Sequence, residues 1–492
     1  MLTIRDPYSS AVRPVVQGRR GAVSAAHPLA VAAAQEMLVA GGSAADAAIA
    51  AQAMLCVLAP DACGLGGDML CLVHAPGAAP VALNGAGAAP AGLAVAACEG
   101  ANSVTVPGIV DAWCTLARRW GRLPLDRVLA PAVAVAREGF RVPSNLARAR
   151  NAQRTRLVAG GASAWALFGL AAGDRFVQPA LADLLQAIGR DGAAAFYRGP
   201  AAAAIAEAVQ GLGGALSEAD LAGHQTVVAA PVTTRWAGVT VATQPPMAQG
   251  VLLNMALAGL ERLGPLAPDR RDHAGIELTE AAFAYRGRVG EGTALLSEDL
   301  AIDLDRAQRR GGPRAYLHTA GVAVADAAGL TISSLVSVFD DFGSCVYVPE
   351  CGITLNDRAG GFGAAPNDAA AGKRPVHTLA PALVVSDEGA LALATPGADG
   401  QVQTLLQVLA AIWRDGTDLA SAVAAPRWRS EGGAVLIERG HPALADLERR
   451  GHRLRLLDDG DTRFGAVVAA GHVAGAPVAV ADWRRETWAG VA

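Results

Sequence analysis

Near the middle of the chain, Leu317-His318-Thr319-Ala320-Gly321 runs into Val322-Ala323-Val324-Ala325-Asp326, then Ala327-Ala328-Gly329 and Leu330-Thr331-Ile332. An apolar run, an Asp/Gly-bounded turn and a second β-prone run spell strand–turn–strand. A threonine heads the first strand. If the His318–Thr319 bond is cut, Thr319 carries a hydroxyl and a free α-amine on one residue, a nucleophile with its own base. A threonine heading a strand is by itself ordinary, so the reading depends on its surroundings.

At 492 residues the chain can bury a large core. A charged fraction of 17% and a net charge of -4 give no pull toward nucleic acid or anionic membranes. No stretch of 18 uninterrupted apolar residues predicts a membrane span. Met1 to Arg20 lacks an apolar signal core, and the seven cysteines form no CxxC pair. Both point to a cytoplasmic protein with reduced, mostly buried thiols. The nine histidines show no HxxxH or HExxH spacing, so no metal site is expected.

Pro28 to Ala40 reads as a helix stopped by Gly41-Gly42. Ser43 with Asp46 opens a second helix, Ala44–Val57, through a capping-box pattern. Gly64-Leu65-Gly66-Gly67-Asp68 turns into the strand Met69–His74. It resembles a phosphate loop only superficially, because a strand follows instead of a helix, and close backbone packing is the preferred reading. Residues 180–215 and 273–290 pattern as helices over a sheet, and Leu300 to Pro313 as an exposed linker.

Gly41-Gly42-Ser43-Ala44-Ala45-Asp46-Ala47-Ala48 followed by Gly64–Asp68 resembles the opening of the γ-glutamyltranspeptidase family. Ser103–Gly108, Pro131–Ala136, Glu138-Gly139-Phe140, Phe196–Gly199, Glu218–Ala222 and Gln244-Pro245-Pro246 continue the resemblance in order over nearly the whole chain. It implies an α+β fold, the four-layer αββα N-terminal-nucleophile hydrolase sandwich. It also implies self-cleavage into a large subunit, residues 1–318, and a small subunit, 319–492, which form a heterodimer, with a dimer of these as the further option. Thr319 would be the nucleophile and His318/Thr319 the cleavage site, with no cofactor required.

The same resemblance assigns further residues. Ser337 falls where a hydroxyl tunes the nucleophile, although a serine on an exposed strand edge is an equal alternative. Thr395-Pro396-Gly397-Ala398-Asp399-Gly400 resembles the loop whose successive amides, here of Gly397 and Ala398, form the oxyanion hole. Ala398 replaces a glycine, which matters little if only its N–H is used. Asn356-Asp357-Arg358 resembles an Asn-Arg element of the amidohydrolase and acylase branch. Asn356 and Arg358 would bind substrate, with Arg358 holding a carboxylate or oxo-acid; otherwise Arg358 is a surface or salt-bridged arginine. His377 and Thr378 would line the pocket, or His377 is structural. Gly360–Gly372 would be a lid or a loose surface loop.

Two departures matter. The arginine that clamps the γ-glutamyl carboxylate would fall near Ala86, and the acid that holds its amine at Gly361; neither is present. Loss of a bidentate arginine contact removes a strong directional interaction. The expected activity is therefore a self-cleaving threonine amidohydrolase or acylase acting on a small amide through an acyl-enzyme. The alternatives are a γ-glutamyltransferase or glutathione hydrolase with a rebuilt clamp, a C–C bond hydrolase of a natural-product pathway, and a non-processing pseudoenzyme.

Overall fold

The computed structural model describes residues 13–310 and 319–492, apart from the side chains of Pro268 and Asp269. His318, one half of the expected cleavage site, lies outside the described residues, as do residues 1–12 of the N-terminal segment.

Two seven-stranded antiparallel sheets face each other. One runs Trp488–Val491, Gly21–Ala25, Ala320–Asp326, Thr331–Ser337, Asp68–His74, Val81–Asn84, Val227–Ala229. The other runs Val16–Gln17, Ala476–Ala481, Val468–Val473, Gly389–Ala394, Ala382–Ser386, Val239–Thr243, Val232–Trp236. The layer between them consists largely of alanine, including Ala22, Ala82, Ala242, Ala323, Ala392 and Ala470, with Leu70, Leu72 and Leu335 among them. Small side chains let the sheets approach closely: a Cβ on Gly321 would sit 3.0 Å from Val468 and 3.4 Å from Ala394 of the opposite sheet.

Helices cover both outer faces. Pro28–Val39, Ala44–Leu58 and Ile109–Trp120 pack on the sheet that carries Ala320–Asp326. Gly250–Leu263, Pro268–Phe283 and Gly400–Trp413 pack on the other. This is the expected αββα order, with the hairpin in the middle of its sheet, buried on both faces. The strand Ala320–Asp326 is apolar up to its last residue, as such a position favours, and the buried hydroxyls of Ser333 and Ser334 on Thr331–Ser337 are satisfied by the Leu393 and Leu70 carbonyls.

The hairpin is fixed by Asp326. Its Oδ1 accepts from Ala328 N (2.9 Å) and Leu330 N (3.1 Å), closing a turn in which Gly329 takes φ 92°. Its Oδ2 accepts from Ala44 N (2.9 Å) at the start of the helix Ala44–Leu58. That helix begins with the capping box read from the sequence: Asp46 N donates to Ser43 Oγ, and Ser43 N to Asp46 Oδ2. Such a cap stabilises a helix by about 1 kcal/mol. The Gly64–Asp68 turn is a close-packing device. A Cβ on Gly66 would collide with the Thr354 carbonyl, and one on Gly67 with the Ser337 carbonyl.

Two expectations gain detail. Gly360–Gly372 is a largely exposed loop, braced internally by Asn367 Nδ2 donating to Gly361 O (2.8 Å) and tied to the body by Val376 N donating to Asn367 Oδ1 (3.0 Å) and Gly372 N to Ala89 O (3.0 Å). The approach to the cleavage site is also more than an exposed linker. Gln308 N donates to Glu277 (3.1 Å) and Arg310 N to Glu280 (2.9 Å), both on the helix Pro268–Phe283.

Candidate active site

Alternation along the strands sets the site. Leu335 points into the layer between the sheets, and two residues on so does Ser337. On the neighbouring strand, Leu70 and Leu72 point inward, and so does Asp68, which is the register partner of Ser337. On the other side Ala320 pairs with Val336, and one further step brings Thr319 opposite Ser337. Thr319, Ser337 and Asp68 thus form a row across three adjacent strands, at the end of the inter-sheet layer.

Ser337 is 2% exposed in the centre of a sheet, which excludes the exposed-edge alternative. Thr319 Oγ1 donates to Ser337 Oγ at 3.4 Å, and Ser337 Oγ accepts from Phe339 N at 2.9 Å. The opposite sheet ends its strand Gly389–Ala394 across from Gly321, so the loop Thr395–Asp399 emerges at the same end of the sandwich as Thr319.

In that loop Gly397 has φ 126° and Ala398 φ 46°, a left-handed position unusual for a residue with a Cβ. The Gly397 carbonyl accepts from Gly400 N (2.8 Å) and Arg429 Nη2 (3.2 Å). The Ala398 carbonyl accepts from Gln401 N (3.1 Å) and Gln249 Nε2 (2.9 Å). In a trans peptide the N–H points opposite to the preceding C=O. Anchoring the Gly397 carbonyl toward the helix Gly400–Trp413 therefore turns the Ala398 N–H away from it. Gln249 Nε2 also reaches the Thr378 carbonyl (2.7 Å), and Gln249 N the His377 carbonyl (2.9 Å), which ties the two loops together.

Behind the row lies a buried charged cluster. Asp68 Oδ2 accepts from Arg358 Nε (3.0 Å) and from His377 Nε2 (3.2 Å). Leu379 N donates to His377 Nδ1 (3.2 Å), so Nε2 carries the ring proton. Burial, then the Arg358 charge, lowers the His377 pKa to about 4, leaving a neutral imidazole. Burial would raise the Asp68 carboxyl, but hydrogen bonding from His377 and the Arg358 charge outweigh it and hold it below the usual carboxylate range. Arg358 is fully buried and lies over the Phe339 ring, 4.5 Å from its centroid. Its Nη1 and Nη2 have no hydrogen-bond partner among the described residues, and neither does Asp68 Oδ1. A buried guanidinium with two unmet donors is costly, and a carboxylate fits both at once.

Asn356 plays a different part from the substrate contact the sequence implied. Its Oδ1 accepts from Thr105 N, Thr105 Oγ1 and Arg358 N, and its Nδ2 donates to the Gly66 and Thr105 carbonyls. With both donors and the acceptor engaged, it braces the Arg358 backbone.

Three contributors were not assigned roles from the sequence. Asp68 was read only as the end of a glycine turn, and Gln249 had no signal. Arg374 lies on the loop that carries His377, and its Nε donates to the Ala86 carbonyl at 2.9 Å. The position where the family's arginine is missing therefore has an arginine against it, supplied by another segment. Lys373 O accepting from Ala89 N, and Ala89 O from Gly372 N, hold the two segments side by side.

The family model for gamma-glutamyltranspeptidase matches residues 30–492. Oxamate amidohydrolase proenzyme of Klebsiella pneumoniae is 32% identical, aligned over 89% of this chain and 92% of its own. Acylase ACY 1 proenzyme of a Pseudomonas species is 31% identical over 89% of this chain and 88% of its own. Among solved structures, cephalosporin acylase from Bacillus halodurans superposes with a TM-score of 0.89 at 29% identity, covering 100% of this chain and 99% of that one.

Proposed function

This chain belongs to the γ-glutamyltranspeptidase family, an enzyme family of hydrolases and transferases, and on that premise we propose that it is a self-processed threonine amidohydrolase acting on a small amide whose scissile carbonyl lies next to a carboxylate. The observation that carries the reading is the buried Arg358, with two unpartnered Nη donors, tied through Asp68 to the row that contains Ser337 and Thr319. An oxo-acid amide such as oxamate, the substrate named for one relative, has this chemistry.

In the proposed mechanism, the Thr319 hydroxyl first attacks the His318 carbonyl, and water resolves the ester to leave residues 1–318 and 319–492 as a heterodimer. In turnover the Thr319 amine takes the hydroxyl proton as Oγ1 attacks the amide carbon, and Ser337 Oγ, 3.4 Å from Oγ1, turns its own hydroxyl proton to the nucleophile as that proton leaves. The Gly397 and Ala398 amides receive the oxyanion. Arg358 holds the neighbouring carboxylate, Arg374 adds positive charge at the Ala86 side, and His377 and Thr378 wall the pocket. Ammonia or amine leaves with the proton from the Thr319 amine, and water hydrolyses the acyl-enzyme.

A second reading, γ-glutamyl hydrolysis or transfer, is favoured by two groups: Arg374, whose Nε donates to the Ala86 carbonyl, and Asp68 Oδ1, buried and without a hydrogen-bond partner among the described residues, would offer a guanidinium and an acid to an amino acid head. Intact mass under denaturing conditions, followed by parallel assay of oxamate and a γ-glutamyl anilide, decides. Two fragments joined at His318/Thr319, abolished by Thr319→Ala, with turnover of the oxo-acid amide, is the expected result. A single active 492-residue chain rejects the nucleophile assignment, and turnover of the anilide alone moves the second reading to the front.

A further inference from the structure

The helix Pro268–Phe283 carries His273 and Glu277, one turn apart on the same face. It packs against the short helix Leu444–Arg449, and just beyond that helix His452 N donates to Leu447 O, turning the His452 ring back toward His273. His273 is fully buried, Glu277 likewise, and His452 is 7% exposed. One ligand atom from each lies within 4.8 Å of the others, the one such convergence among the described residues. The spacing survey of the sequence excluded metal sites because the third group lies 179 residues from the first.

The orientation is that of ligands. His273 Nε2–H donates to the Asp303 carbonyl (2.8 Å), which fixes the tautomer and leaves the Nδ1 lone pair facing His452 Nε2 at 2.7 Å. A backbone carbonyl behind the distal ring nitrogen is the usual support of a metal-bound histidine. Glu277 accepts from Gln308 N (3.1 Å) and Arg310 Nη1 (3.4 Å), which leaves lone pairs unused on a group with about four such sites. Arg309, Arg449 and Arg450 line a recess of about 400 Å³ that includes Gly451 next to His452. They oppose a cation, but Arg449 and Arg450 are already paired with Asp446.

We propose that His273 Nδ1, His452 Nε2 and Glu277 form a site for a zinc-class divalent ion, with water in the fourth position. Two imidazoles and a carboxylate without thiolate suit Zn²⁺ and Co²⁺ rather than Ca²⁺ or Mg²⁺. At ~2.0–2.1 Å per Zn–N bond, tetrahedral nitrogens stand ~3.3 Å apart, so the rings must part by roughly 0.6 Å. The ion replaces the proton between the rings, and His452 carries its proton on Nδ1 instead. His273 and Glu277 precede Thr319 and His452 follows it, so the ion would staple the segments on either side of the nucleophile.

The test uses untagged full-length protein stripped with chelator and titrated with Co²⁺, then Zn²⁺. The expected result is one ion per chain, with the ligand-field bands of a four-coordinate site. His452→Gln and Glu277→Gln should each weaken binding by more than the ~10–100-fold that loss of a supporting partner costs, whereas His74→Gln should not change it. Circular dichroism checks folding. Should His452→Gln misfold, Glu277→Gln and the wild-type Co²⁺ spectrum decide, and six-coordinate bands there overturn the site. Absence of stoichiometric uptake, or uptake unchanged in Glu277→Gln, overturns it as well.

Discussion

Replacing Arg358 separates its structural duty from its proposed chemical one. Arg358 and Asp68 are both fully buried and joined at 3.0 Å. Arg358→Met leaves the Asp68 carboxylate with His377 as its remaining side-chain hydrogen-bond donor in this cluster. Removing one partner of a buried pair costs about 3–5 kcal/mol, whereas replacing both by neutral groups is often close to neutral. With an unfolding entropy of ~2.1 cal/mol/K per residue, a chain of 492 residues loses about 1 °C of Tm per kcal/mol. The single variant should therefore melt about 3–5 °C lower, and Asp68→Asn/Arg358→Met should recover most of that loss. Activity should not recover. Two hydrogen bonds to a charged group, at about 1.5–3 kcal/mol each, correspond to about 10²–10⁴ in kcat/KM. The assay is ammonia release from the carboxylate-bearing amide and from its uncharged diamide counterpart. Selectivity for the former should collapse in the double variant. If the refolded double variant keeps that selectivity, or loses both substrates by the same factor, Arg358 does not bind the carboxylate.

Two further outcomes test the surroundings. Ser337→Ala should lower kcat by roughly 10-fold with little change in KM, the worth of one modest hydrogen bond made to the nucleophile; steady-state kinetics showing an unchanged kcat would remove Ser337 from the mechanism. His377 has its folded pKa depressed to about 4 from the ordinary 6.5, so the unfolded chain binds the extra proton between those values. Its contribution to stability is complete above about pH 6.5 and is lost as pH falls toward about 4. Thermal melts across that window should fall less steeply for His377→Asn than for wild type, and parallel slopes would contradict the neutral, buried imidazole.

Single elements and the hairpin were legible because local rules state them: a capping box at Ser43 and Asp46, a glycine-ended helix, and β-prone runs either side of Asp326 and Gly329; the αββα order came from the resemblance. The assignments of Thr319, Ser337 and the Gly397–Ala398 loop came from ordered resemblance, which reads positions one at a time. That method cannot see a guanidinium arriving from another segment. It reports no arginine at Ala86, although Arg374 reaches that carbonyl from a loop nearly three hundred positions away. Asp68 was hidden for the same reason. Its partners at positions 358 and 377 are set by sheet register and loop packing, which no spacing along the chain records. His273 and His452 are a third instance.

Charge accounting in the cluster bears on which substrate class fits. Arg358 is cationic, Asp68 is anionic and His377 is neutral, so this hydrogen-bonded trio is electrically balanced before anything binds, and burial pushes the neighbouring Asp357 up to about 7, toward its neutral acid. A monoanion that docks on the Arg358 Nη groups adds one negative charge, and Arg374, half-buried against the Ala86 carbonyl, supplies the compensating positive one. An amino acid head brings its own ammonium, which must find an acid. Asp68 already accepts hydrogen bonds from Arg358 and His377 and is held in its ionised form by them, so it has little further demand for a cation. A zwitterion would thus leave one positive charge in excess at a site where burial makes each unpaired charge costly. The balance favours a small carboxylate-bearing amide without an α-amine. The direct check is inhibition of turnover by oxo-acid anions and by α-amino acids of matched size: stronger inhibition by the amino acids would reverse this argument and restore γ-glutamyl recognition.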